Sequence, residues 1–233
     1  MKQFLFLLIA ASCLVSCDHT TGSGEIITET RQVNSFSGIS VGGDFDVEVK
    51  IGPSTEVKVE ADDNIMKYIE TNVSGSTLKI RTEDLHNYSD VHMKVYITTP
   101  SLTRVSASAS ARVEVLDLLK SSDRLTFNAS SSGNITADID APEVEADASS
   151  GASVNLTGKT RSYNAQASSG AEIRTYDLLS ETTRVQVSSG ASARVHASIN
   201  LNAQASSGGS VTYHGAATVN KAESSGGSVS RKD

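Results

Sequence analysis

The chain has 233 residues, of which 5% are aromatic; Trp is absent and Pro occurs three times. This excludes a core built on large rings and points to a thin, repetitively stacked core of Val, Ile, Leu and Ala. The formal net charge of −7, with no basic stripe interleaved with aromatics, excludes nucleic acid as a partner. Binding a phosphate backbone needs clustered Lys and Arg to release counterions.

Residues 1–16 read as a lipoprotein signal peptide. Lys2 supplies its positive end, and the apolar stretch 4–10 (FLFLLIA) is too short to span a bilayer. Leu14-Val15-Ser16-Cys17 has the pattern of a bacterial lipobox, so Cys17 is the expected lipidation site. Cys13 has a poorer context, with Ala10 three positions before it. The alternative is an ordinary signal peptide cut elsewhere, which would leave no anchor. Both cysteines lie in the first 17 residues, so a mature monomer would hold one at most, lipidated, and a disulfide within it is excluded. Acyl chains on Cys17 make the membrane the first expected partner, each buried methylene adding about 0.8 kcal/mol. Residues 17–32 read as a lipidated tether, because the stretch 18–25 (DHTTGSGE) is polar and rich in Gly, Ser and Thr.

Residues 33–100 read as a strand-rich part with one short helix. Phe45, Val47, Val49 and Ile51 alternate with Asp46, Glu48 and Lys50, the period of a half-buried strand. Asp62-Asp63-Asn64 offers helix N-caps ahead of Ile65 and Met66. Strand patterns resume at 77–82 and 91–98.

Residues 101–233 are repetitive. Gly133, Gly151, Gly170, Gly190, Gly208 and Gly226 each follow Ser-Ser, at successive spacings of 18, 19, 20, 18 and 18 residues. That period is too short for a helical pair and suits one coil of a β-solenoid. At Gly151, Gly170, Gly190 and Gly208 mostly small or aliphatic residues stand three and five positions before and after the glycine, with Thr175 and Tyr213 among them, alternating with polar ones. Each coil is thus expected to be a strand, a Ser-Ser-Gly corner and a second strand, stacked in parallel register about 4.8 Å apart. At the corner, glycine would supply positive φ and the serine hydroxyls would bond to nearby backbone. An earlier, degraded coil is visible at 105–115, with Ser108 in the glycine position, and Gly133 carries a one-residue slip. Lys221 falls at an inward position of the last copy, where it would cap the stack with charge. The fold class is therefore all-β: a parallel β-helix or β-solenoid of about 18–20 residues per coil after the strand-rich part.

Four outward features are candidate binding columns. Gln166, Gln186 and Gln204 each lie four residues before a glycine, as a side-chain amide ladder or as a ligand-binding row. Arg174 and Arg194 share a column four residues after the glycines, a solvated face or a weak anion site. His196 and His214 stand six residues after theirs, with Tyr176 in the same column. No Cys, Asp or Glu joins the two imidazoles, so no metal and no cofactor are expected. The acids of 138–147 (DIDAPEVEAD) would serve a glycan-cleaving β-helix only if two faced each other across a groove. No nucleophile motif accompanies them, and no catalytic residue is assigned.

The stretches FSGISVGGDFDVEVKIG, VKVEADDNIMKYIET, STLKIRT and VYITTPSLTRV, followed by repeated SSGAS steps and a final GGSV, together resemble one family over residues 33–230. It is the putative auto-transporter adhesin, head GIN domain family of Bacteroidetes envelope proteins. The resemblance implies a β-helix-like fold and a cell-envelope location, with the outer membrane as the expected site. It carries no catalytic or ligand residues. The expected function is display of a rigid surface for adhesion, with a glycan or protein as ligand. A non-adhesive sensor or scaffold for a membrane partner is the second reading, and a polysaccharide-degrading enzyme the third. The leaflet and the oligomeric state are left open.

Overall fold

The computed structural model describes residues 18–83 and 86–232; Cys17 lies outside them. Branched aliphatics alternating with polar residues give each strand one dry face, and the chain winds round those faces as a solenoid of about 6 turns. The first side of the stack holds Arg104–Ser108, Leu125–Ala129, 144–148, 163–167, 183–187, Asn200–Ala205 and Thr218–Glu223, all parallel and in register. The second side holds Arg112–Val115, 134–137, 153–156, Glu172–Thr175, Ser192–His196, Ser210–His214 and Ser228–Arg231. A short third side joins them at 119–120, 139–140, 158–160 and 178–180. Inside, Phe127, Ala146, Ala165, Val185 and Ala203 form one column, none more than 1% exposed.

The corners are type I′ turns. At 149–152 the Ala152 N–H donates to the Ser149 carbonyl (3.1 Å), and Ser150 and Gly151 have φ of 53° and 73°. The left-handed conformation thus falls on the second serine as well as on the glycine. Gly151 N–H donates to the Ser169 carbonyl one coil on, at 3.1 Å, and the step recurs from Gly170 to Ser189, Gly190 to Ser207 and Gly208 to Ser225. Backbone groups, not serine hydroxyls, therefore tie corner to corner. The slip at Gly133 has a steric origin. There the turn uses Ser131 and Ser132, at φ of 47° and 66°, and Gly133 takes the position of Ala152. A Cβ on Gly133 would lie 2.4 Å from the Ala107 carbonyl oxygen. In the first degraded coil the glycine position belongs to Ser110, not Ser108, because Ala107 pairs with Ala129 and Ala109-Ser110 form the turn.

The N-terminal elements are, in chain order, β1 (Asp18–Thr21), β2 (Ile26–Arg31), β3 (Gly38–Gly42), β4 (Asp46–Ile51), β5 (Glu56–Asp62), α1 (Asp63–Met66), β6 (Ile69–Ser74), β7 (Thr77–Thr82), β8 (His86–Ser89) and β9 (Met93–Thr99). β3 pairs in parallel with Arg104–Ser108 and β4 with Arg112–Val115. The stack therefore begins at residue 38, and the boundary expected between 100 and 101 does not separate two structures. β7 and β9 add parallel neighbours above β3 and β4, and β2, β5 and β6 add antiparallel ones. This closes the upper end.

Most of the segment expected as a tether is also paired. β1 runs parallel to β8, and β2 antiparallel to β5. Between them the Asp62 carboxylate, 2% exposed, accepts the Gly24 N–H on Oδ1 and the His92 N–H on Oδ2, both at 2.7 Å. The His92 N–H holds this carboxyl below the usual range; burial opposes the shift and the Gly24 N–H adds to it. Asp62 precedes α1 as expected of an N-cap but makes no side-chain cap bond, because both oxygens serve this clasp. At the opposite end, Lys221 and Glu223 occupy inward columns opposite Ala203 and Ala205. Lys221 Nζ reaches Glu223 (3.3 Å) and the Val229 carbonyl (3.2 Å), and the Val229 N–H donates to Glu223 (2.6 Å).

Candidate binding surface

Period-two alternation sends every second residue of the first side outward, and the parallel register stacks equivalent residues. Asn128, Asp147, Gln166, Gln186 and Gln204 form one such row. Two positions on, at the mouth of each turn, stand Ser130, Ser149, Ser168, Ser188 and Ser206. The two rows line a continuous groove of about 820 Å³ running from Ser106 to Ser224. The exposed Ser-Gly turn tips project beside it.

The hydrogen bonding of these rows differs from the expected ladder. Gln186 Nε2 donates to Gln204 Oε1 at 3.4 Å, a long contact, and Gln166 makes no side-chain bond within the described residues. The hydroxyls of Ser130, Ser149, Ser168, Ser188 and Ser206 likewise bond to nothing in the described protein. Asp147, half-buried in the same row, has its carboxyl raised by loss of hydration and then by the neighbouring Glu145 charge.

The second side carries the arginine column. Arg174 and Arg194 are register partners, and Glu172 bridges them, with Arg174 hydrogen-bonded to it and Arg194 at 3.3 Å. Arg174 also reaches Asn155 at 3.4 Å. The shared carboxylate relieves the repulsion of the stacked guanidiniums and weakens the anion-site reading. With Tyr176, Asp138 and Thr157 they border a cleft of about 450 Å³.

His196 and His214 are register partners, as their column predicts. Tyr176 is not in that register. One residue more lies between Arg174 and Leu178 than between their partners Asn155 and Gly158, so Tyr176 is displaced. Its ring stacks on His214 instead, two coils away, with centroids 4.2 Å apart and planes 4° from parallel. His196 turns to the third side, where its Nδ1 accepts the Ser180 N–H at 3.3 Å. The coil shortens here, and the buried Ser180 and Thr183 hydroxyls both donate to the His196 carbonyl. Among the described residues no group of three or more His, Cys, Asp or Glu could hold a metal.

The acids of 138–147 do not converge. Asp138 accepts from Thr157 (2.9 Å), Asp140 pairs with Lys159 (3.2 Å), and Arg124 pairs with Glu143 (2.6 Å) and Glu145 (3.5 Å). They follow the strand round the coil from the third side to the first.

The model of the family described as putative auto-transporter adhesin, head GIN domain matches residues 35–217. The chain belongs to that family. Three solved structures share the fold of this chain. A putative adhesin from Bacteroides fragilis NCTC 9343 has a TM-score of 0.81 at 19% identity, covering 91% of this chain and 98% of its own. A putative lipid binding protein from Parabacteroides distasonis ATCC 8503 has a TM-score of 0.77 at 18% identity, covering 93% and 100%. A putative adhesin from Parabacteroides merdae ATCC 43184 has a TM-score of 0.73 at 18% identity, covering 93% and 100%. At these identities they establish fold alone. No curated protein matches the chain.

Proposed function

We propose that this head GIN domain is a lipid-anchored envelope adhesin without catalytic activity, held at the outer membrane through Cys17. The observation that carries the reading is the groove on the first side, where one rigid stack repeats the same outward polar groups coil after coil. Such a surface suits an extended partner engaged at many weak contacts, which add when the sites are held at fixed spacing. Family membership supports adhesion, and the dispersed acids, of which Asp140, Glu143 and Glu145 are paired with cations, favour binding over glycan cleavage.

The test uses bacteria carrying the full chain. Palmitate should label the wild type and not Cys17→Ala, and external protease should remove the wild-type chain from intact cells. Wild-type cells should adhere to matrix- or mucin-coated surfaces more than cells carrying Cys17→Ala. Equal labelling of both forms would refute the anchor; full protection from protease would refute surface display and favour a periplasmic scaffold.

A further inference from the structure

We infer that the groove on the first side is a binding site for an uncharged, linear β-linked glycan lying parallel to the solenoid axis, about one sugar per coil. The inference rests on the adhesive reading above and names the ligand class of that same surface.

Three observations lead to this class. The first is length and step. The row from Ser106 to Ala222 crosses six coil steps, roughly 29 Å at the spacing of adjacent strands. That step is close to the rise of one pyranose unit in an extended β-1,4 chain, whereas a coiled α-1,4 chain does not keep it. Alternate sugars, turned the same way by the two-fold screw of such a chain, can therefore meet equivalent groups.

The second is unused hydrogen-bonding capacity. The serine row offers a donor and an acceptor at each coil, and the Gln166, Gln186 and Gln204 amides offer both beside it. These groups are half-buried or exposed at the groove and almost unengaged within the protein. A partner dense in hydroxyls satisfies such rows without leaving buried groups unpaired.

The third is what the lining omits. Among the described residues no Lys, Arg or aromatic ring lines the groove, and its aliphatic side chains are Val187 and alanines. Lipids and apolar peptides would find little surface to bury. Asp147, set in the glutamine row, repels polyanions. A neutral polyhydroxylated chain is the class that remains.

The experiment uses full-length protein in detergent micelles and titrates cellohexaose, chitohexaose, maltohexaose and polygalacturonate, each by calorimetry. The neutral β-linked hexasaccharides should bind, and cellotriose and chitotriose, titrated beside them, should bind more weakly. The Gln166→Ala/Gln186→Ala/Gln204→Ala variant should bind roughly tenfold or more weakly at unchanged melting temperature. Ser188→Phe, which fills the groove from an outward position, should abolish binding. Preference for polygalacturonate, equal binding of maltohexaose, or β-glycan affinity unmoved by both variants would overturn the inference, as would no glycan binding at all. The same variants in the cell assay separate the two claims. Adhesion that persists with a filled groove removes the glycan site and leaves the adhesin. Binding in micelles by a chain that gives its cells no adhesion removes the adhesin and leaves the site.

Discussion

The second serine of each corner carries a conformational cost. Ser150, Ser169, Ser189 and Ser207 sit at φ between 49° and 54°, a region that disfavours a residue with a Cβ by about 1–2 kcal/mol. The serines persist there because both central positions of a type I′ turn need positive φ and the next residue must already point inward. Asn tolerates that region better, and Asn-Gly is the preferred pair for this turn. Ser169→Asn should therefore raise stability by up to about 1 kcal/mol, while the β-branched Ser169→Val should lower it by at least as much. Urea midpoints of the two variants check the sign. A stabilised valine variant would show that the turn is not what strains this corner.

Among the elements, the Asp62 clasp joins the N-terminal strands to the stack. Its carboxylate receives two backbone N–H groups, from Gly24 before β2 and from His92 before β9. Removing the charge leaves one of those donors poorly matched, at a cost of about 1–3 kcal/mol. The folded pKa is depressed, so the contribution of this group is complete above the unfolded value near ~3.9 and is lost as pH falls through the lower folded value. Asp62→Asn should thus be less stable than wild type at neutral pH, and the gap should close in acid. Urea unfolding at pH 7 and in the range below ~3.9 measures it. Amide exchange should quicken along β1 and β2 in the variant, since both flank the clasp. A gap independent of pH would mean that the carboxylate charge plays no part.

On the scale of the whole molecule, a parallel stack has open edges at its two ends. The upper end is covered by antiparallel strands, and the lower end by the charged pair Lys221 and Glu223 in columns that elsewhere hold apolar residues. These groups bond to the backbone of the final strand and make the last coil a poor template for another. Lys221→Val/Glu223→Val restores the apolar columns and should produce concentration-dependent end-to-end association, seen as growth in mass by light scattering. A variant that stays at the wild-type mass would show that the cap lies elsewhere, in the strand Ser228–Arg231 itself.

Alternation and repeat were readable in the residues because both are local or neighbour-to-neighbour properties. The glycine spacings specify a coil, the period of two assigns inward and outward columns, and stacking places Gln166 beside Gln186 and His196 beside His214. Family membership was legible for the same reason. Tertiary structure decided what depends on contacts between distant segments. β3 and β4 show no Ser-Ser-Gly corner, so only their pairing with the first repeats reveals that the stack starts there. A Gly- and Ser-rich stretch has the composition of a tether, yet the buried Asp62 binds it down. One inserted residue displaces Tyr176 from its column onto His214. The glutamine row had the pattern of a structural ladder, and the serines that of turn hydroxyls bonded to backbone. Side-chain geometry left those groups facing an open groove, because backbone bonds alone already hold the coils together.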